Sequence, residues 1–204
     1  MKTIITIQHT QSVHHVNGMV GSWTDWELTE QGLEQAKAIG MNLKRELNEK
    51  RVVLYSSDLK RAKQTADCIG SAIGVSPILC RELRERNLGA CCGKSVQWMR
   101  QNQHMQEKTI DDRMFPDAES RRDEWTRLKP FFEKLMSSPE ETIILVSHGD
   151  LLSVFNAMFL GLNVESLNSI ELWGLSGSVS FLAENSAEKR FLKKLSDMSY
   201  INTK

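Results

Sequence analysis

The sequence predicts an α/β layered fold with a largely parallel sheet, on three observations. Short β-branched runs alternate with amphipathic helical patterns along the chain, the arrangement of strand–crossover–strand units. Two of the runs, residues 3–8 (TIITIQ) and 142–147 (TIILVS), read as buried strands. Each is followed at once by a histidine, His9 or His148, at the carboxyl edge where ligands sit in such folds.

Taken in order, residues 10–28 contain Gly18, Gly21 and Asp25 without a period and read as a long loop; long ordered loops are often functional. Thr29 is a candidate N-cap, followed by Leu33, Ala36, Gly40, Leu43 and Leu47 at helical spacing. Residues 52–55 form a second short strand. Ser56, Ser57 and Asp58 offer N-caps to a helix marked by Leu59, Ala62, Ala66, Ile69 and Ile73. Residues 77–80 read as a short extended segment and 81–93 as a charged loop. Residues 95–108 and 120–136 read as helices joined by a polar connector containing Pro116. Helix resumes over 149–160. Residues 170–173, 178–183 and 190–195 read as strands, with turns at 174–177 and 184–188. With no linker or repeat, 1–204 reads as a single domain with a helical excursion at about 94–129.

The chain's 204 residues suffice for one domain with a full core. Lys plus Arg equals Asp plus Glu at 26 each, so overall charge gives no reason to expect nucleic acid or an anionic membrane as partner. No run is apolar enough to span a bilayer, and the N-terminus enters a strand pattern without a secretory h-region. The expected location is cytoplasmic. Cys68, Cys80, Cys91 and Cys92 have neither disulfide-framework nor zinc spacing and read as reduced thiols. The sequence leaves oligomeric state open, a homodimer included.

Five features carry chemistry: Gln8-His9-Thr10-Gln11-Ser12, Leu28-Thr29-x-x-Gly32, Ser56-Ser57-Asp58-Leu59-x-Arg61-x-x-x-Thr65-Ala66, Leu83-x-Glu85-x-x-x-Gly89 and Ser147-His148-Gly149. In this order and spacing they resemble the histidine phosphatase superfamily, which includes the cofactor-dependent phosphoglycerate mutases. The resemblance runs from about residue 4 to 182. It implies a phosphoglycerate mutase-like three-layer α/β/α sandwich around a mixed, mostly parallel sheet. It also implies phosphomonoester hydrolysis through a phosphohistidine on His9, which splits one displacement into two easier ones. His148 would stabilise the phosphoryl oxygens, and Arg61 would bind them with its planar donors. Glu85 would act as general acid, then base. Phosphate or substrate binding is carried over to Gln8, Ser12, His15 and Arg61. No metal or cofactor is implied, since Arg and His neutralise the charge. The expected partner is a small phosphorylated organic substrate.

The pattern has departures. The family's Arg-His-Gly opening is Gln8-His9-Thr10 here, its phosphate-contacting Asn falls on His15, and its Trp-Glu-Gly is Cys91-Cys92-Gly93. Gln8 can donate from its amide but carries no charge; a protonated His15 would restore part of it. The replaced glycine implies that the backbone at Thr10 needs no glycine-only conformation. Trp23, Trp26, Trp98, Met99 and Met105 could wall an apolar leaving-group site, or simply pack.

Other readings compete. A mutase would hold its phosphorylated state against water and carry an enclosing insertion after the acid loop; the compact chain favours a phosphatase. A non-catalytic phosphate or phosphoprotein binder is argued by Gln8 and opposed by the retained Glu85. A metallohydrolase would gather His9, His14, His15, Asp25 and His148, none of which sits in an H-E-x-x-H helix.

Overall fold

The computed structural model describes residues 1–47 and 51–202. Six strands form one sheet: β1 (Lys2–Gln8), β2 (Val53–Ser57), β3 (Ile78–Cys80), β4 (Thr142–Ser147), β5 (Val179–Glu184) and β6 (Arg190–Asp197). Their spatial order is β3-β2-β4-β1-β5-β6. The β1–β4, β2–β4 and β2–β3 pairs are parallel, and the β1–β5 and β5–β6 pairs antiparallel. The sheet is therefore mixed and mostly parallel, as expected.

Helices cover both faces because strand side chains alternate. Ile5, Leu54, Ile144 and Val146 pack on one face against Ile39 and Leu43 of α2 (Glu30–Leu47) and Ala62, Ala66 and Ile69 of α3 (Lys60–Ile73). Ile4, Ile143, Leu145 and Leu182 pack on the other against Leu128 and Leu135 of α5 (Arg121–Ser137) and Leu151, Phe155 and Phe159 of α6 (Gly149–Phe159). Three layers result. A smaller cluster of Val20, Cys91, Phe115 and Ala118 stands apart under the 94–129 excursion.

Caps set several boundaries. The Thr29 hydroxyl accepts from Gly32 N–H at 3.0 Å and starts α2. Ser120 and Asp123 exchange side-chain and backbone bonds in a capping box at the start of α5. A four-residue helix, α1 (His14–Asn17), interrupts the expected loop and ends at Gly18.

Three local expectations are corrected. Ser56 and Ser57 belong to β2, and Leu59 occupies the N-cap of α3 without a side-chain cap; the Ser57 hydroxyl instead accepts from Leu59 N–H at 3.2 Å. The helix expected over 95–108 is α4 (Val96–Asn102) and stops early. The Asp112 carboxylate beyond it takes the N–H groups of Lys108 and Thr109, each at 2.8 Å, and folds the chain into a turn. Residues 170–173 form no strand. Side chains of α6 take the bonds a ladder would use: Ser153 accepts from Leu172 N–H at 2.8 Å and Asn156 donates to Leu172 O at 2.9 Å.

Candidate active site

Parallel pairing of β1 with β4 sets Gln8 opposite Ser147, so the next residues, His9 and His148, emerge side by side. Their ring centroids are 5.1 Å apart at 62°. His9 Nδ1 lies 2.9 Å from Thr10 O. A carbonyl can only accept, so Nδ1 carries the proton and Nε2 offers a lone pair. Arg61 Nε–H donates to that Nε2 at 3.1 Å. Burial first, then the Arg61 charge, hold the His9 pKa well below its ordinary value. A buried, neutral ring with Nε2 as its acceptor is the form a phosphorus-attacking imidazole requires.

Arg61 lies in the first turn of α3 and is almost fully buried. It also donates to Thr24 O at 2.9 Å and Ser22 O at 2.8 Å. Three of its five N–H groups are thus committed. Burial lowers its pKa to about 10, which leaves it charged at neutral pH. Ser22 holds a left-handed backbone at φ 47, a conformation costly for a non-glycine residue and common at functional sites.

His148 is fully buried. Its Nε2 lies 2.9 Å from Ser57 Oγ, and its Nδ1 has no hydrogen-bond partner among the described residues. Burial and then Arg61 push its pKa well down. Ser57, expected only as a cap, is the residue that orients this ring.

Gln8, His9, His14, His15, Arg61 and Glu85 share the wall of a cavity of about 560 Å³. Glu85 Oε1 accepts from Arg86 N–H at 3.0 Å and Leu151 N–H at 3.2 Å, which leaves Oε2 to carry a proton. Burial, and then the Asp150 charge, raise the Glu85 pKa to about 7. That is the range in which one carboxyl can give a proton and later take one. Around it runs an ion-pair network the sequence did not disclose. Arg86 meets Glu107 at 3.0 Å and Asp150 at 3.2 Å; Arg121 meets Asp150 at 3.2 Å and Glu124 at 3.6 Å. Glu124 is fully buried, and burial drives its pKa up to about 8.

The variant positions have definite places. Gln8 lines the cavity, and its Oε1 is buried with no hydrogen-bond partner among the described residues. Thr10 is not among the positive-φ residues; its N–H donates to Thr65 Oγ1 and its hydroxyl also meets that atom, both at 3.2 Å. The threonine pair thus sits on ordinary backbone that needs no glycine. His15 stacks on His9 at 5.3 Å and 8°. Burial and then Arg61 lower its pKa, which works against the protonated form that would restore charge. Ser12 is fully buried and forms no part of the cavity wall. Its hydroxyl bonds His14 Nδ1 at 2.7 Å and its N–H donates to His15 Nδ1 at 3.2 Å. In this structure it holds two imidazoles rather than facing the cavity.

None of Trp23, Trp26, Trp98, Met99 or Met105 lines the cavity. Trp23 donates to Glu85 O at 2.6 Å under the guanidinium groups of Arg81, Arg84 and Arg127; Trp98 stacks on Phe115 at 5.8 Å. The apolar surface at the mouth comes from exposed Trp173 and Leu175. Their signal in the sequence was an apolar stretch that reads equally well as a strand.

A strand-end histidine pair, a buried arginine and a carboxyl with a raised pKa on this sheet define a class of phosphoryl-transfer fold. The chain belongs to the histidine phosphatase superfamily (branch 1), whose family model matches residues 4–196. It is 31% identical over 183 residues to a 2,3-bisphosphoglycerate-dependent phosphoglycerate mutase of Bartonella tribocorum, with 84% of this chain and 87% of the relative covered. The fold is shared with a mycobacterial glucosyl-3-phosphoglycerate phosphatase solved with VO3, at TM-score 0.83 and 22% identity over 97% of this chain and 100% of that one. Mycobacterial hydrolase 1 superposes at TM-score 0.83 with 24% identity, covering 96% of this chain and 98% of the other. Among the described residues no helix is long and apolar enough to cross a membrane.

Proposed function

We propose that the chain hydrolyses small organic phosphomonoesters in the cytoplasm through a phosphohistidine on His9, without a metal or cofactor. The observation that carries this is the contact of Arg61 Nε with His9 Nε2 at 3.1 Å, in a cavity that also holds Glu85. In the first step Nε2 attacks phosphorus, the ester P–O bond breaks, and protonated Glu85 gives its proton to the leaving oxygen. In the second, the Glu85 carboxylate takes a proton from water as that water attacks phosphorus, the P–N bond breaks, and neutral His9 and inorganic phosphate are released. Arg61, with two N–H groups to spare, and Gln8 bind the phosphoryl oxygens. His148 is absent from the cavity wall; its ring, centred 5.1 Å from that of His9 and buried behind it, supports the nucleophile and reaches the oxygens only if its Nδ1 is uncovered when phosphate enters. His15 joins them if the incoming dianion draws a proton onto it.

Turnover of an aryl phosphate by the wild-type protein and its loss in His9→Ala test this. Equal rates in both would defeat the assignment.

Phosphoglycerate mutase-type transfer is the second reading, favoured by the 31% identity to a mutase. Chain length does not separate the two, because the match covers 87% of the mutase. The charge of the cavity wall favours hydrolysis. Arg61, Arg86 and Arg121 are offset there in part by Asp150 and Glu171, and Arg86 and Arg121 are already ion-paired. Little positive charge is left for the second acid group of a phosphoglycerate. Trapped phosphohistidine that survives in water and is discharged by a phosphoglycerate would establish the mutase reading.

A further inference from the structure

We infer that one divalent ion of the zinc class binds among the imidazoles of His9, His14 and His15 and takes the nucleophile out of use while bound. The binding claim stands on the three rings; the loss of activity rests on the phosphatase reading above.

One ring nitrogen from each of the three lies within 4.8 Å of the other two. Tetrahedral zinc with Zn–N bonds of about 2.0–2.1 Å sets its ligand nitrogens roughly 3.4 Å apart. The rings must therefore close by up to about 1.4 Å, and the local structure permits it. His14 and His15 sit on α1, a four-residue helix with no buried residue. Gly21 lies against His14, where a Cβ would fall 2.8 Å from Nε2, so glycine leaves that nitrogen unobstructed.

The surroundings already hold two of the rings from behind. Thr10 O meets His9 Nδ1, and Ser12 supplies Oγ to His14 Nδ1. Such outer contacts orient imidazole ligands in metal sites. Two hydrogen bonds must be exchanged for metal bonds: Arg61 Nε to His9 and Ser12 N–H to His15. All three rings line the cavity, so a fourth position is open to water. An all-imidazole set suits Zn²⁺, Co²⁺, Ni²⁺ and Cu²⁺ and not Mg²⁺ or Ca²⁺. A metal on His9 Nε2 occupies the lone pair that would otherwise attack phosphorus.

The test uses chelator-treated full-length protein titrated with Co²⁺, followed by visible absorption, and then with Zn²⁺ as competitor. We expect a four-coordinate Co²⁺ band that Zn²⁺ displaces and Mg²⁺ does not. His14→Asn and His15→Asn should each weaken Co²⁺ binding tenfold or more. Zn²⁺ inhibition of aryl phosphate turnover, scaled to each variant's own metal-free rate, should weaken by the same factor. Equal Co²⁺ affinity in wild type and both variants overturns the inference, as does a weak six-coordinate spectrum in the wild type. A histidine-dependent Co²⁺ band in protein that turns over no phosphate ester would uphold the metal site and remove the phosphatase reading instead.

Discussion

At the residue scale, Glu85 links structure to pH dependence. Its pKa is raised to about 7 by burial and Asp150, so the protonated acid needed in the first step is lost as pH rises through that value. kcat/KM for an alkyl phosphate should fall above about pH 7, and Glu85→Gln should abolish that limb and cost roughly 10²- to 10⁴-fold. A better leaving group such as nitrophenol should suffer less. Asp150→Asn removes the second cause of the shift, so the limb should move to lower pH; an unmoved limb would show that Asp150 does not act on Glu85. Gln8 is the other informative residue. It lines the cavity while its Oε1 is buried and unbonded, and Gln8→Arg would exchange a neutral contact for a charged one. A gain of about 1 kcal/mol follows, read as roughly five- to tenfold tighter competitive inhibition by inorganic phosphate.

At the element scale, the loop between β1 and α2 is fixed from its two ends. Thr29 caps α2, and Gly32 in its first turn leaves no room for a side chain: a Cβ would lie 1.9 Å from Gln11 O. Thr29→Ala should cost about 0.5–2 kcal/mol. Gly32→Ala should cost more than overpacking usually does, about 1–3 kcal/mol, because backbone must move. Denaturant midpoints would rank the two, and the larger effect on turnover should follow Gly32, whose neighbour Gln11 lies two residues from His9. The elements themselves were legible where periodicity was long. β1, β4, α2 and α3 stand within about a residue of where β-branched runs and apolar spacing put them. Residues 103–108 and 170–173 were not, since backbone groups there go to Asp112, Ser153 and Asn156, partners no local pattern can reveal.

For the whole molecule, four imidazoles with lowered pKa values and two carboxyls with raised ones give stability a pH dependence of definite sign. His9, His14, His15 and His148 have lowered pKa values, His14 to about 3. Below the unfolded value of about 6.5 the unfolded chain takes up protons that the fold refuses, and stability falls with pH. Glu85 and Glu124 act the other way: their pKa values are raised to about 7 and about 8, and the stability they give when protonated is lost as pH rises. Four rings outweigh two carboxyls on the acid side, and the carboxyls dominate on the alkaline side. Stability should peak at about pH 6.5–7, and urea unfolding across pH 5–8 would check it. Inorganic phosphate at about 100 times its Kd should add about 2.7 kcal/mol. The matching rise in melting temperature should vanish in Arg61→Ala.

The sequence by itself determined most of the strands, the helices that alternate with them and the candidacy of His9, Arg61, Glu85 and His148, because alternation, helical spacing and motif order are local properties of the chain. Only the tertiary structure decided what those residues meet. The lowered pKa of His15, the tie of Arg61 to Ser22 and Thr24, the Arg86–Asp150–Arg121 network around Glu85 and the gathering of His9, His14 and His15 all depend on contacts across loops and strand ends. Such contacts set burial, and burial sets charge; neither is written in the spacing of residues along the chain.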